Sequence, residues 1–228
     1  MGGQQIGIQV SPWETERIWE AEGVPILCSS ACLPRPPEER QDRVSRRIRR
    51  YYSLQQRAFL RRCETVLLPQ ARQAARAALE TSGPLPCFRA ELSYQVTLER
   101  DGLWSLCTQL REQTDHGPTQ LTRWGDTWDL STGYPVPLSR FFPQGTAWKK
   151  QVLSAIRGTM EAQERAGVAR YREGWQRELR RRFNPRSFYL TDDGLCLFYA
   201  MYALGPAAEG IPSFMLPYGP QGPLEQPL

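Results

Sequence analysis

The stretch from Phe88 to Leu110 constrains the fold more than any other. Phe88, Ala90, Leu92, Tyr94, Val96 and Leu98 occupy every second position, the period of a strand with one covered face. Asp101-Gly102 supplies a pair that accepts positive φ, and a return strand follows from Leu103 to Leu110; together these predict a β-hairpin. A hairpin alone is marginal in water, so the chain must supply further strands or covering helices. "LTRWGDTWDL", residues 121–130, meets an "STG" turn and predicts a third strand of an antiparallel meander.

The covering helices are also visible. After the Pro-rich breaker "LPRPPEER", residues 33–40, a long helix is predicted with Glu38 and Glu39 near its positive dipole end. At about 100° per residue, Val44, Ile48, Tyr51, Tyr52, Phe59, Cys63 and Val66 fall on one side, opposite Arg43, Arg46, Arg47, Arg50, Arg57 and Arg61. Pro69 should kink this helix or begin a second segment, Gln70 to Leu79, that ends at Ser82-Gly83-Pro84. Downstream, Trp148, Val152, Ala155, Ile156 and Met160 mark the apolar side of another helix, and Tyr171, Trp175, Leu179 and Phe183 a further helical segment. Short strands are expected at Ile6–Val10, Val24–Ser29, Phe188–Thr191, Leu195–Tyr202 and Phe214–Leu216. Helices and hairpins in blocks indicate an α+β class, with an antiparallel sheet packed by a long N-terminal helix and a second helical segment. The expected organisation is an extension over 1–23, one α+β domain over 24–218 and a Pro/Gly-rich tail over 219–228.

Composition then removes several function classes. No apolar run reaches the roughly 18 residues of a membrane span and no basic-then-apolar leader opens the chain, so the expectation is a cytoplasmic protein without a membrane span. The net charge of +5 is modest, and Arg outnumbers Lys 27 to 2, which reads as a genome signature before it reads as phosphate recognition. Six scattered cysteines read as reduced thiols; Cys28 and Cys32 could form a redox or metal pair but lack a second ligand pair.

His116 is the only histidine. "TDDG", residues 191–194, is similar to the metal-binding box of polysaccharide deacetylases, yet such a site needs an aspartate plus two histidines to leave an open position on the metal. No metal or other cofactor is therefore expected, and Asp193-Gly194 reads as a hairpin turn. A hydrolase using His116 remains an alternative, without a nucleophile elbow to support it. Asp126 and Asp129, three apart in a strand, point to opposite faces, and Asp129 is expected to cap the "STG" turn. A nucleic-acid surface through Arg46, Arg50 and Arg57 is a second alternative, set below the reading of a solvated helix face. Trp124 and Trp128, four apart in a strand, are read as core before binding platform.

The order of the pieces resembles a domain shared by RsiV-type anti-sigma factors and the non-catalytic region of PdaC-type peptidoglycan deacetylases. Phe188, Tyr189, Leu190, Thr191, Asp193, Gly194 and Leu195 fit one phrase of that family, followed by Tyr202, Pro206, Ala208, Gly210, Ile211, Pro217 and Tyr218. Asp129, Leu130, Thr132, Gly133, Leu138, Phe141 and Phe142 fit another. The resemblance covers roughly residues 24–218 and implies a non-catalytic binding or sensing domain. Its implied ligand is a lysozyme-like protein or a cell-wall glycan, and the related domains are extracytoplasmic. The transmembrane and deacetylase parts of those relatives have no counterpart in the residues given.

Overall fold

The computed structural model describes residues 8, 10–36, 42–115, 117–206, 210–219, 222–224, 226 and 227. The architecture is α+β, as the pattern indicated. Strands β1 (Ser11–Ala21), β2 (Val24–Arg35), β3 (Phe88–Arg100), β4 (Leu103–Gln113), β5 (Gln120–Asp129) and β6 (Tyr134–Pro135) form one sheet in that order. Strands β7 (Phe188–Leu190), β8 (Gly194–Phe198) and β9 (Ser213–Pro217) form a second, antiparallel sheet. The helices are α1 (Arg43–Arg62), α2 (Leu68–Glu80), α3 (Trp148–Ala166) and α4 (Trp175–Arg181). The chain divides into two compact units, one of Ile8–Tyr94 with Thr108–Leu121 and the other of Gln95–Cys107 with Thr122–Leu228.

In the unit that contains α1, the first strand corrects the sequence reading. Ile6, Gly7 and Gln9 lie outside the described residues, Ile8 and Val10 are not in a strand, and β1 begins at Ser11. As an edge strand with no fully buried position, β1 needs an apolar face on neither side and so carries no strand pattern in the sequence. Glu22 (φ 50°) and Gly23 (φ 74°) turn it into β2, two consecutive left-handed residues as a tight hairpin requires.

A second difference concerns direction. An antiparallel sheet was expected, but β2 and β3 run parallel, from Leu27 opposite Phe88 to Ala31 opposite Leu92. Parallel neighbours need a crossover, which the α1–α2 segment provides. Asp42 caps α1, accepting from the Ser45 N–H at 2.8 Å and the Ser45 hydroxyl at 2.7 Å. No acid lies in the first turn, and Glu38 and Glu39 lie outside the described residues. Ile48, Tyr52, Phe59 and Cys63 of the predicted stripe are buried, whereas Val44, Tyr51 and Val66 are half-buried.

Pro69 acts as expected, with a specific geometry. A π turn, Cys63–Leu67, precedes α2, and the Leu68 N–H donates to the Cys63 carbonyl five residues back. Widening the turn keeps the chain helical beside a ring that blocks ordinary continuation. Buried Glu112 accepts from Arg62 through both carboxylate oxygens, at 2.6 and 2.8 Å.

The other unit is built around Trp104 and a cluster that includes Leu98, Phe141, Val152, Ile156, Met160, Leu190, Leu197 and Phe214. Val152, Ile156 and Met160 carry the inner side of α3, and Ala155 is exposed, which narrows the predicted stripe to a strict i, i+4, i+8 row. Strand β5 meets β7 closely at Gly125, where an added Cβ would lie 1.8 Å from the Phe188 carbonyl oxygen. Beside it, the buried Ser105 and Thr127 hydroxyls share a 2.9 Å hydrogen bond, and the Leu190 N–H donates to the Ser105 hydroxyl at 2.9 Å. The acids of "TDDG" are exposed in the β7–β8 connection, closed by the Thr191 N–H donating to the Gly194 carbonyl at 2.9 Å.

Asp129 organises the turn after β5. Its carboxylate accepts from the Ser131 N–H (2.8 Å), the Ser131 hydroxyl (2.6 Å) and the Thr132 hydroxyl (2.9 Å). Burial pushes this carboxyl up, but the Ser131 and Thr132 donors together outweigh it and hold the group below the usual carboxylate range. A depressed folded-state pKa means the stabilisation is present above the unfolded pKa and is lost as pH falls through the folded one. Asp129→Ala is expected to cost about 1–2 kcal/mol at neutral pH. The difference between wild type and variant in urea unfolding should shrink below about pH 4, the ordinary Asp range.

Candidate binding groove

Helix α3 starts against its own electrostatics. Its N-cap, Ala147, offers no side-chain hydrogen bond, no acid occupies the first turn, and Lys149 and Lys150 stand there instead. Cations at a helix N-terminus oppose the macrodipole, each by about 0.3–1 kcal/mol. These are the only two lysines of the chain, so helix formation does not account for them.

Both line an open groove of about 790 Å³ between α3 and α4. Leu153 and Leu179 contribute its apolar side, and Arg157 and Arg180 add two more cations. Half-buried Trp148 stands at the groove, stacked on Phe142 with centroids 5.8 Å apart and tilted against Phe183 at 6.5 Å. Lys149 Nζ lies 5.6 Å from the centre of the Phe183 ring. The Trp175 indole N–H ties α4 to α3 by donating to Glu164 at 3.1 Å, and the Tyr171 hydroxyl, in the segment before α4, donates to Gln163 of α3. The Tyr199 hydroxyl donates to the Leu179 carbonyl at 3.0 Å.

A second groove of about 650 Å³ borders α4 and is lined by Arg172, Arg177, Arg181 and Arg182 with Glu173 and Glu178. Its charges are partly answered internally, because Glu178 takes both Arg181 (2.9 Å) and Arg182 (2.5 Å). Those two hydrogen-bonded guanidinium groups hold the Glu178 carboxyl below its usual range. In the first groove Arg157 pairs with Glu161 at 3.0 Å, and among the described residues Lys149, Lys150 and Arg180 form no ion pair. Residues 148–186 hold eleven Lys and Arg against four Glu, an excess larger than the net +5 of the whole chain. The groove is therefore a local concentration of positive charge with an aromatic wall.

The sequence-nominated residues fall elsewhere. His116 lies outside the described residues. Trp124 is 40% exposed and Trp128 only 4%, so only the first of the two rings is open to solvent. Arg46, Arg50 and Arg57 are all exposed on α1, with Leu54 exposed among them. Among the described residues, no cluster of His, Cys, Asp and Glu could hold a metal ion. Burial pushes the Cys63 thiol up to about 11 and raises Cys107 and Cys196, so none of the three is a ready nucleophile at neutral pH. No described helix is long and apolar enough to cross a membrane.

The groove and the β7–β9 sheet lie within a part of the chain that matches a family. Residues 139–219 match the DUF3298 family. That family is described as a protein of unknown function. A DUF3298 family member from Bacteroides fragilis shares the fold, with a TM-score of 0.68, 13% identity, and coverage of 94% of this chain and 92% of its own. A DUF3298 family protein from Pseudomonas aeruginosa does so with a TM-score of 0.58, 16% identity, and coverage of 92% and 91%. No curated protein matches the chain by sequence. At such identities the DUF3298 likeness establishes the fold alone.

Proposed function

We propose that this chain is a non-catalytic binding domain whose α3–α4 groove takes an anionic glycan of the cell-wall type. The observation that carries the reading is the pair Lys149 and Lys150, placed where they weaken their own helix and beside a half-exposed tryptophan in an open groove. Sugar rings present C–H faces that stack on an indole, and carboxylates on the same polymer meet the ammonium groups, so one ligand class uses both features. Sites that violate a local preference without a structural gain are where function is expected. The resemblance of the C-terminal third to RsiV-type and PdaC-type domains supports a wall-related ligand. Of its two implied ligands, the glycan fits this groove better than a lysozyme-like protein does.

The test is co-sedimentation of the full chain with insoluble peptidoglycan at low salt. Pelleting is expected, with affinity falling about tenfold or more in Lys149→Glu/Lys150→Glu and retained in Arg46→Glu/Arg50→Glu/Arg57→Glu. Titration with lysozyme should give no heat. Equal pelleting by the lysine variant, or none by the wild type, would overturn the reading.

A further inference from the structure

The sequence suggested Cys28 and Cys32 as a pair, but four residues along one strand separate them by about 13 Å. The fold brings a different partner. Cys87, just before β3, places its Sγ 3.7 Å from Cys28 Sγ. The parallel register sets Cys28 opposite Arg89, so Cys87, two residues earlier, belongs to the same face of the sheet as Arg89. Both sulfurs are part-buried, so neither is sealed in the core. Cys63 and Cys196, by contrast, are buried.

We propose that Cys28 and Cys87 are an oxidative modification site that closes to a disulfide, bridging β2 and β3 at the start of their parallel pairing. The bond would span 59 positions and enclose the entire α1–α2 crossover. The 3.7 Å contact must shorten to the roughly 2.05 Å of a disulfide, and because Cys87 is staggered by two residues from the position opposite Cys28, closure requires the backbone ahead of β3 to move with the side chains. The chemistry requires a disulfide-bearing oxidant, either a small-molecule disulfide or a disulfide oxidoreductase. One cysteine thiolate attacks a sulfur of the oxidant, forming a mixed disulfide and expelling a thiolate. The second cysteine thiolate then attacks the first cysteine's Sγ and expels the other half of the oxidant. Two electrons and two protons leave the cysteine pair, and the oxidant is reduced to two thiols. Burial and the neighbouring Cys87 raise the Cys28 thiol, and Arg89 beside it offsets only part of that rise. A cross-link over so long a loop removes much of the freedom of the unfolded chain.

The full chain would be incubated with oxidised glutathione, alkylated without reduction, digested and mapped by mass spectrometry. The expected product is one cross-linked peptide pair containing Cys28 and Cys87, about 2 Da lighter than the two free peptides together. The oxidised protein should melt roughly 5–10 °C above the reduced one. Cys28→Ser and Cys87→Ser should each abolish the cross-link and the shift, and Cys32→Ser should keep both. Cross-linking through other cysteines, or glutathione adducts at Cys28 and Cys87 without closure, would overturn the proposal.

Discussion

Gly125→Ala is expected to destabilise the unit containing α3 and α4 by roughly 3 kcal/mol or more, because a single methyl would sit inside the backbone of a neighbouring strand. The added Cβ would be 1.8 Å from the Phe188 carbonyl oxygen and 2.6 Å from its carbonyl carbon. Neither atom can rotate away as a side chain would, so β7 itself must move. Phe188 and Leu190 are buried in the cluster that also holds Phe141 and Leu197, and that packing resists the shift. For a chain of this length the loss corresponds to a fall of about 6–12 °C in thermal midpoint. Gly158→Ala is the internal control: it lies in α3 with nothing within 4 Å of an added Cβ. That change should stabilise by roughly 0.5–1 kcal/mol. A Gly125→Ala midpoint within a degree of wild type would show that β5 and β7 do not approach as closely as described.

How far the sequence could be read depends on which force shaped each part. The β3–β4 hairpin was legible because Phe88, Ala90, Leu92 and Leu98 alternate into a covered face, although Val96 of the same row is exposed and Leu103–Leu106 are buried on both faces; Asp101 (φ 51°) and Gly102 (φ 78°) adopt the left-handed turn their identities allow. The interruption at Pro69 was legible because a missing N–H must be answered locally, and the π turn answers it. Asp129 could be assigned to its turn from neighbours two and three residues away. Strand β1 was not legible, since an edge strand needs no pattern, and neither was the parallel β2–β3 pairing, which depends on where a 38-residue helical excursion, Arg43–Glu80, returns.

The candidate groove lay beyond sequence reading for another reason. Its cations belong to segments thirty residues apart, and in a chain with 27 Arg each looked like background. The available signal was the isolation of Lys149 and Lys150 as the only lysines, together at a helix start that disfavours them. Cys28 and Cys87 were likewise too far apart in sequence for spacing to connect them. Gly125 carried a weak signal, because a glycine inside a strand marks either a bulge or a close approach, and only the fold decides between them.

The second large effect is expected at Ser105, which is fully buried. Its hydroxyl accepts the Leu190 N–H from β7 and bonds the Thr127 hydroxyl from β5, so it serves three strands with one oxygen. Ser105→Ala would strand a buried N–H and a buried hydroxyl at once, at a cost of roughly 2–4 kcal/mol. Thr127→Val should cost less, because Ser105 would still accept from Leu190. In Ser105→Ala/Thr127→Val the orphaned hydroxyl is gone, so the double variant should be more stable than the sum of the two losses implies. Urea unfolding of the four proteins measures that coupling. Amide exchange adds a local check: the Leu190 N–H should lose protection in Ser105→Ala before its neighbours in β8 do. Strict additivity, with Leu190 protection unchanged, would mean that this polar link contributes nothing to holding β7 in place.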